Sequence, residues 1–250
     1  MTARSPRAPR TLASLERVIV ACRKCPRLIA HCQAIAGIKR RAYQDWVYWG
    51  RPVPGVGDPH ARVIVVGLAP GAHGSNRTGR MFTGDAAGAT LTASLYRTGF
   101  ASQPTSLARD DGLVFTDLFL TAAARCAPPG NAPTPSEVAR CRPYLVSELT
   151  LLPRLRVVVA LGHLAHDAFL RAATEAGVRV PQPKPRFAHG AQARLPWGAR
   201  ELMLLDTYHP SQQNTLTGRL TPAMLDVVFR RARRALDAGV SPASRRREWP

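Results

Sequence analysis

A chain of 250 residues with 35 Lys and Arg against 16 Asp and Glu carries a formal charge of +19. That balance points to a polyanionic partner, because each neutralised phosphate releases counterions and tightens binding; a coding bias toward Arg explains the scarcity of Lys but not the shortage of Asp and Glu. No apolar run approaches the about 20 residues that span a bilayer, and the first residues lack the apolar core of a secretory signal, so a membrane partner is excluded and a cytoplasmic protein is expected.

No linker-like shift in composition divides the body, so a single domain is expected over residues 12–238, between basic disordered arms at 1–11 and 239–250. A helix over 12–21 leads into Cys22-Arg23-Lys24-Cys25-Pro26, and a second helix follows over 28–36. Tyr43, Trp46, Tyr48 and Trp49 then form an aromatic cluster, the pattern of core or of a loop anchor. Val63-Ile64-Val65-Val66, four β-branched residues in a row, reads as a buried parallel strand that empties into Gly67-Leu68-Ala69-Pro70-Gly71 and a polar loop ending at Phe82-Thr83-Gly84-Asp85. A helix is expected over 86–98, with Asp85 at or near its N-cap, a position that competes with a chemical role. A second strand is expected over 114–121, and Thr134-Pro135-Ser136-Glu137 is a capping box opening a helix toward Leu151. Residues 157–161 read as a third strand, 164–173 as a helix, 181–185 as a Pro-rich surface loop, 202–206 as a fourth strand delivering His209, and 221–235 as an amphipathic helix. Strands alternating with helices give an α/β fold, a three-layer α/β/α sandwich around a central, mainly parallel four-stranded sheet.

The loop after the first strand lies at the carboxyl edge of that sheet, where open α/β folds bind ligands. It offers His73, Ser75, Asn76, Arg77, Thr78 and Arg80 as donors, an aromatic face at Phe82 and a carboxylate at Asp85. That mixture suits a polar, flat, partly anionic ligand. No G-x-G-x-x-G opens a helix here and no Lys-Ser/Thr pair closes a P-loop, so neither phosphate fingerprint fits.

Of five cysteines, Cys22 and Cys25 form a C-x-x-C pair, and Cys126 and Cys141 flank the Pro-rich loop that leads into the capped helix. Four thiolates there would tie the N-terminal helices to the sheet around one metal centre; tetrahedral zinc and a cubane iron–sulfur cluster both satisfy the spacing, which does not separate them. A redox C-x-x-C would sit between a strand and a helix, not between two helices, and Cys32 reads as a buried spare. His163 and His166 sit three apart after a strand, yet no carboxylate neighbour completes a ligand set, so surface or capping roles are expected for them. His31, His60 and His189 carry no readable signal.

The segment GLAPGAHGSNRTGRMFTGDAAG, together with His209-Pro210-Ser211-Gln212-Gln213-Asn214-Thr215, resembles the two active-site motifs of family 5 uracil-DNA glycosylases. The resemblance extends to the four cysteines and runs from about Cys22 to Ala235. It implies a 4Fe–4S cluster on Cys22, Cys25, Cys126 and Cys141, and a monofunctional glycosylase that flips uracil, with other deaminated or modified bases, and hydrolyses the N-glycosidic bond. Phe82 would stack on the flipped base, and His209 would donate to its carbonyl as charge develops there. Gly67, Leu68 and Ala69 would supply only backbone to base or water, since Leu68 and Ala69 stand where other glycosylase families carry a polar side chain. Asn131 can read a base edge through its amide, with a turn-forming Asn as the rival reading. Asp85 is the nearest carboxylate to organise the water or to stabilise the cationic sugar. His73, Arg77, Arg80, Ser211, Gln213, Asn214 and Arg219 are the expected contacts to DNA, double-stranded with single strands left open, for an enzyme acting as a monomer. Two other classes stay open at this point: a catalytically silent iron–sulfur protein that senses lesions, and a hydrolase of free nucleotide metabolites.

Overall fold

The computed structural model describes residues 9–237; the expected tail at 239–250 and most of the N-terminal arm lie outside the described residues. Helices α1 (Leu12–Val20) and α2 (Pro26–Ile38) precede β1 (Val56–Gly57), β2 (Val63–Gly67), the short α3 (Ser75–Thr78) and α4 (Ala86–Arg97). They are followed by β3 (Leu118–Ala122), α5 (Pro135–Leu151), β4 (Val157–Leu161), α6 (His163–Glu175), β5 (Gln192–Trp197), β6 (Arg200–Thr207), α7 (Gln212–Leu216) and α8 (Pro222–Asp237).

The four expected strands pair in parallel in the order β3-β2-β4-β6. Among the described residues the sheet nevertheless has six strands, because β1 adds antiparallel to β3 and β5 antiparallel to β6 at the two edges. Both additions escape a sequence reading for physical reasons. The first is two residues long in a Pro- and Gly-rich stretch, and β5 alternates exposure along an edge where Pro196 removes no needed donor. The second expected strand begins four residues late. Asp117 adopts a left-handed φ of 60° and turns its carboxylate to Arg62, whose Nε and Nη2 donate at 2.7 and 2.6 Å, so extension starts only at Leu118.

The side-chain period of two splits each central strand between two cores. Val63, Val65, Leu118, Leu120, Val157 and Val159 pack with Leu91 and Leu95 of α4 and Leu225, Val228 and Phe229 of α8. Ile64, Val66, Phe119, Val158 and Ala160 face Leu145 and Leu149 of α5 and Ala165 and Phe169 of α6. Three layers result, as expected. The capping box is formed as written: Thr134 accepts from the Glu137 N–H while Glu137 accepts from the Thr134 N–H. Behind the sheet, the fully buried Arg125 donates through Nη2 to Glu148 of α5 at 2.7 Å and through Nη1 to Thr121, fixing the segment after β3 against α5.

Candidate active site

The loop leaving β2 is shaped around two side chains that need glycine beneath them. Phe82, held at φ 52°, lays its ring directly over Gly67; a Cβ there would lie 2.5 Å from its Cζ. Asp85 caps α4, its Oδ1 accepting from the Gly88 N–H at 2.8 Å. Its other oxygen sits over Gly71 and Gly74: a Cβ on Gly71 would come 2.5 Å from Oδ2, and one on Gly74 closer still. Capping engages Oδ1 and leaves Oδ2 out of the cap. Burial pushes the Asp85 carboxyl above its ordinary value, with the Gly88 N–H and the Arg77 charge pulling part of the way back.

The second half of the site hangs from the end of β6. The chain passes Thr207 and Tyr208 to His209, and Asn214 Nδ2 donates to the His209 carbonyl at 2.8 Å, closing the turn into α7. Gly162, at φ 92°, packs beneath His209: a Cβ there would lie 3.4 Å from the His209 Cβ. Burial lowers the His209 pKa, so the ring is a neutral imidazole at neutral pH, suited to donating one N–H rather than to carrying charge. Its ring centroid stands 6.4 Å from that of Phe82.

Phe82, Asp85 and His209 share a cavity of about 670 Å³ at the carboxyl end of the parallel strands. Leu68, Ala69 and Asn131 also line it. Asn131 is at φ 58° behind Gly130 in a short turn, so the turn-forming conformation and the pocket position hold together. Gly67 lies beneath Phe82 rather than in the wall. The strand end is pinned by backbone bonds from Ala123 and Ala124 N–H to the Gly67 and Leu68 carbonyls, at 2.9 and 2.8 Å. Ser211 and Gln213 line the same cavity, and so do Met81 and Gln212, which the motif reading passed over; the clue to Gln212 was its place between two residues already singled out.

The remaining expected contacts divide. Arg77 is only 3 % exposed, with its guanidinium 3.9 and 4.0 Å from the ring centroids of Tyr43 and Trp46 and its Nε and Nη2 donating to the His73 and Gly84 carbonyls. Arg80 is 5 % exposed, paired with Asp111 at 2.7 Å and donating to Thr83 and Ser106. Both guanidiniums are buried and turned inward to hold the loop, where contacts to DNA were expected of them. The Asn214 amide is likewise committed to the His209 turn. His73 meets the Tyr48 hydroxyl at 3.1 Å, while Arg219 is exposed with its guanidinium over the Tyr208 ring. His166, read as surface or capping, is instead fully buried, its Nδ1 at 2.8 Å from Asp206 and its Nε2 at 3.0 Å from the Pro185 carbonyl; the partner carboxylate lies forty residues on, out of reach of a local reading.

Cys22 follows α1, Cys25 caps α2, Cys126 follows β3 and Cys141 sits in α5. Their thiols lie near enough to act on one another. Cys126 is pushed far up by Cys32, by burial and by Cys141 and Cys22; Cys141 is raised by burial and by Cys25 and Cys22. Among the described residues no three His, Cys, Asp or Glu side chains gather in the geometry that holds a single metal ion. Cys32 is buried beside Cys126, its Sγ 3.6 Å from the Ala127 carbonyl.

A parallel-sheet pocket with this aromatic, carboxylate and imidazole set defines a class, and the family model described as "Uracil DNA glycosylase superfamily" matches residues 54–233. Among curated proteins, the chain is 49% identical over 225 residues to a type-5 uracil-DNA glycosylase of Mycobacterium tuberculosis, covering 90% of this chain and 81% of the relative. It is 50% identical over 218 residues to a type-5 uracil-DNA glycosylase of Thermus thermophilus, covering 87% and 95%, and 38% identical over 160 residues to a type-4 uracil-DNA glycosylase of Archaeoglobus fulgidus, covering 64% and 70%. The chain belongs to the uracil-DNA glycosylase superfamily, in its type-5 branch.

Proposed function

We propose that this protein excises uracil from DNA, breaking the bond between the base and C1′ of deoxyribose and adding water to C1′ to leave an abasic site. The observation that carries the reading is the convergence of Phe82, Asp85 and His209 on one cavity of about 670 Å³ in a chain of the type-5 branch. The flipped base stacks on Phe82, its edge reached by Asn131, and the neutral His209 donates an N–H to the carbonyl on which negative charge develops as the base departs. The free oxygen of Asp85 accepts a proton from the incoming water or faces the cationic sugar. No polar side chain guards the first motif, since Leu68 and Ala69 occupy it, and this supports acceptance of further deaminated bases.

The substrate strand belongs in a duplex. Leu216 on α7 is 84 % exposed beside exposed Gln213 and Arg219, an apolar tip with polar flanks of the kind that enters a groove beside an opened base step. Cys22, Cys25, Cys126 and Cys141 are the residues that would hold a 4Fe–4S cluster; sulfur donors from three separate segments, three of them buried and Cys22 partly so, fit a group that binds thiolates. Bound there, the cluster would supply a structural tie and no electrons, because glycosidic hydrolysis needs none. We place the enzyme in the cytoplasm as a monomer. The test is incubation of purified protein with duplexes carrying one uracil opposite guanine or adenine, followed by alkali: scission at the uracil supports the reading, and intact strands bound tightly would mean a silent lesion binder.

A further inference from the structure

The aromatic cluster at residues 43–49 anchors a loop to the back of the pocket wall. Tyr43 and Trp46 clamp the buried Arg77 guanidinium, the Trp49 and Gly50 N–H groups donate to the Arg77 and Asn76 carbonyls at 2.9 and 3.0 Å, and Tyr48 meets His73. Every one of these ties runs to the 73–77 segment, whose Ser75 lines the cavity. Lys39, in a left-handed turn at the end of α2, donates through Nζ to the Gln44 carbonyl at 2.7 Å and draws the 38–47 segment into a fixed loop.

What this braced loop presents to solvent is unusual for a rigid segment. Val47 is 93 % exposed and Ile38 73 %, with Arg40 and Arg41 exposed between them. Bracing the 73–77 segment accounts for the anchors but not for the apolar tip, since Val47 and Ile38 pack on nothing and Arg40 and Arg41 face solvent between them. The Arg40 N–H donates to the Tyr48 hydroxyl at 3.4 Å, and that hydroxyl meets His73, which ties Arg40 to the 73–77 segment.

The geometry points to the 38–47 loop as a second DNA contact, in which Arg40 and Arg41 take backbone phosphates flanking the flipped nucleotide and Val47 and Ile38 lie against the sugar edges. This surface rests on the glycosylase reading above for its partner, and adds to it a rim opposite in sequence and origin to α7. Arg77 gains a role in consequence: buried itself, it positions this loop through its aromatic clamp.

The test uses the full chain and a duplex carrying a central tetrahydrofuran abasic analogue, with binding measured between about 50 and 200 mM salt. In Arg40→Ala/Arg41→Ala, the slope of log affinity against log salt should become shallower by about 2 and affinity should fall roughly tenfold or more. Val47→Asp should weaken binding with the melting temperature unchanged, its side chain having no packing to lose. Arg171→Ala/Arg179→Ala removes the same charge around the far end of α6, and should keep the wild-type slope. A wild-type slope in the Arg40/Arg41 variant, or an equal loss in the Arg171/Arg179 variant, overturns the proposal. Failure of the wild type to release base from a uracil duplex would overturn the glycosylase reading while leaving this contact standing, so the two failures are distinguishable.

Discussion

The carboxyl of Asp85 is held above its ordinary value by burial, yet the proposed step needs it ionised. The rate should therefore fall as pH drops through that raised value, and Asp85→Asn should abolish this acid limb and lower single-turnover release about 10²–10⁴-fold; a variant that kept both rate and limb would remove Asp85 from the chemistry. Gly74→Ala tests the same oxygen from beneath. A methyl there collides with Asp85 Oδ2, so turnover should fall with base stacking intact, read as excision rate against affinity for an abasic duplex. His209→Ala should lower the rate about 10²–10³-fold, the cost of removing one donor from developing charge. Phe82, Asp85 and His209 were legible in the sequence because the chain places each at a strand end or inside a contiguous motif. Arg77 and Arg80 were not. An arginine in a polar loop looks the same whether it faces solvent or a clamp, and here the clamp, Tyr43 and Trp46, lies some thirty residues upstream, while Asp111 lies as far downstream.

Among the elements, the central parallel strands and their helices were readable from β-branched runs and caps, whereas the edges were not, since β1 is too short and β5 too irregular to show a period. The couplings between elements were also hidden. His166 of α6 has an acceptor at each ring nitrogen, Asp206 of β6 and the Pro185 carbonyl. Burial by itself would lower its pKa, but these two acceptors more than offset it and the value is raised. Its stabilisation is thus fully present below about pH 6.5, the unfolded value, and is lost as pH rises through the folded one. Urea unfolding of wild type and His166→Gln should show the largest difference near pH 5.5 and a shrinking one toward pH 9, a window around that unfolded value; a difference growing with pH would contradict the assignment. Glu148→Gln leaves Arg125 buried beside a neutral partner and should cost about 3–5 kcal/mol by the same measurement.

For the molecule as a whole, charge and cysteines set the terms. The formal +19 favours any polyanion, and specificity has to come from the pocket and from the surfaces at its rim. The four cysteines sit on the α1–α2 corner, the segment after β3 and α5, elements far apart in the chain; Cys126→Ser should bleach the protein's visible absorbance and lower its melting temperature if a cluster joins them. Spacing left zinc and iron–sulfur equally open, because it encodes the ligands and not the distance between them. Metal analysis of the freshly purified protein, with iron and acid-labile sulfide expected in equal amounts, decides between the two. The central claim, that the cavity between Phe82, Asp85 and His209 removes uracil from DNA, is tested most directly by single-turnover release of free base from a duplex with one uracil, run beside Asp85→Asn. Base release and alkali-labile strands are expected from the wild type, with a loss of at least about a hundredfold in the variant; wild type that binds the duplex and releases no base would rule out excision by this cavity.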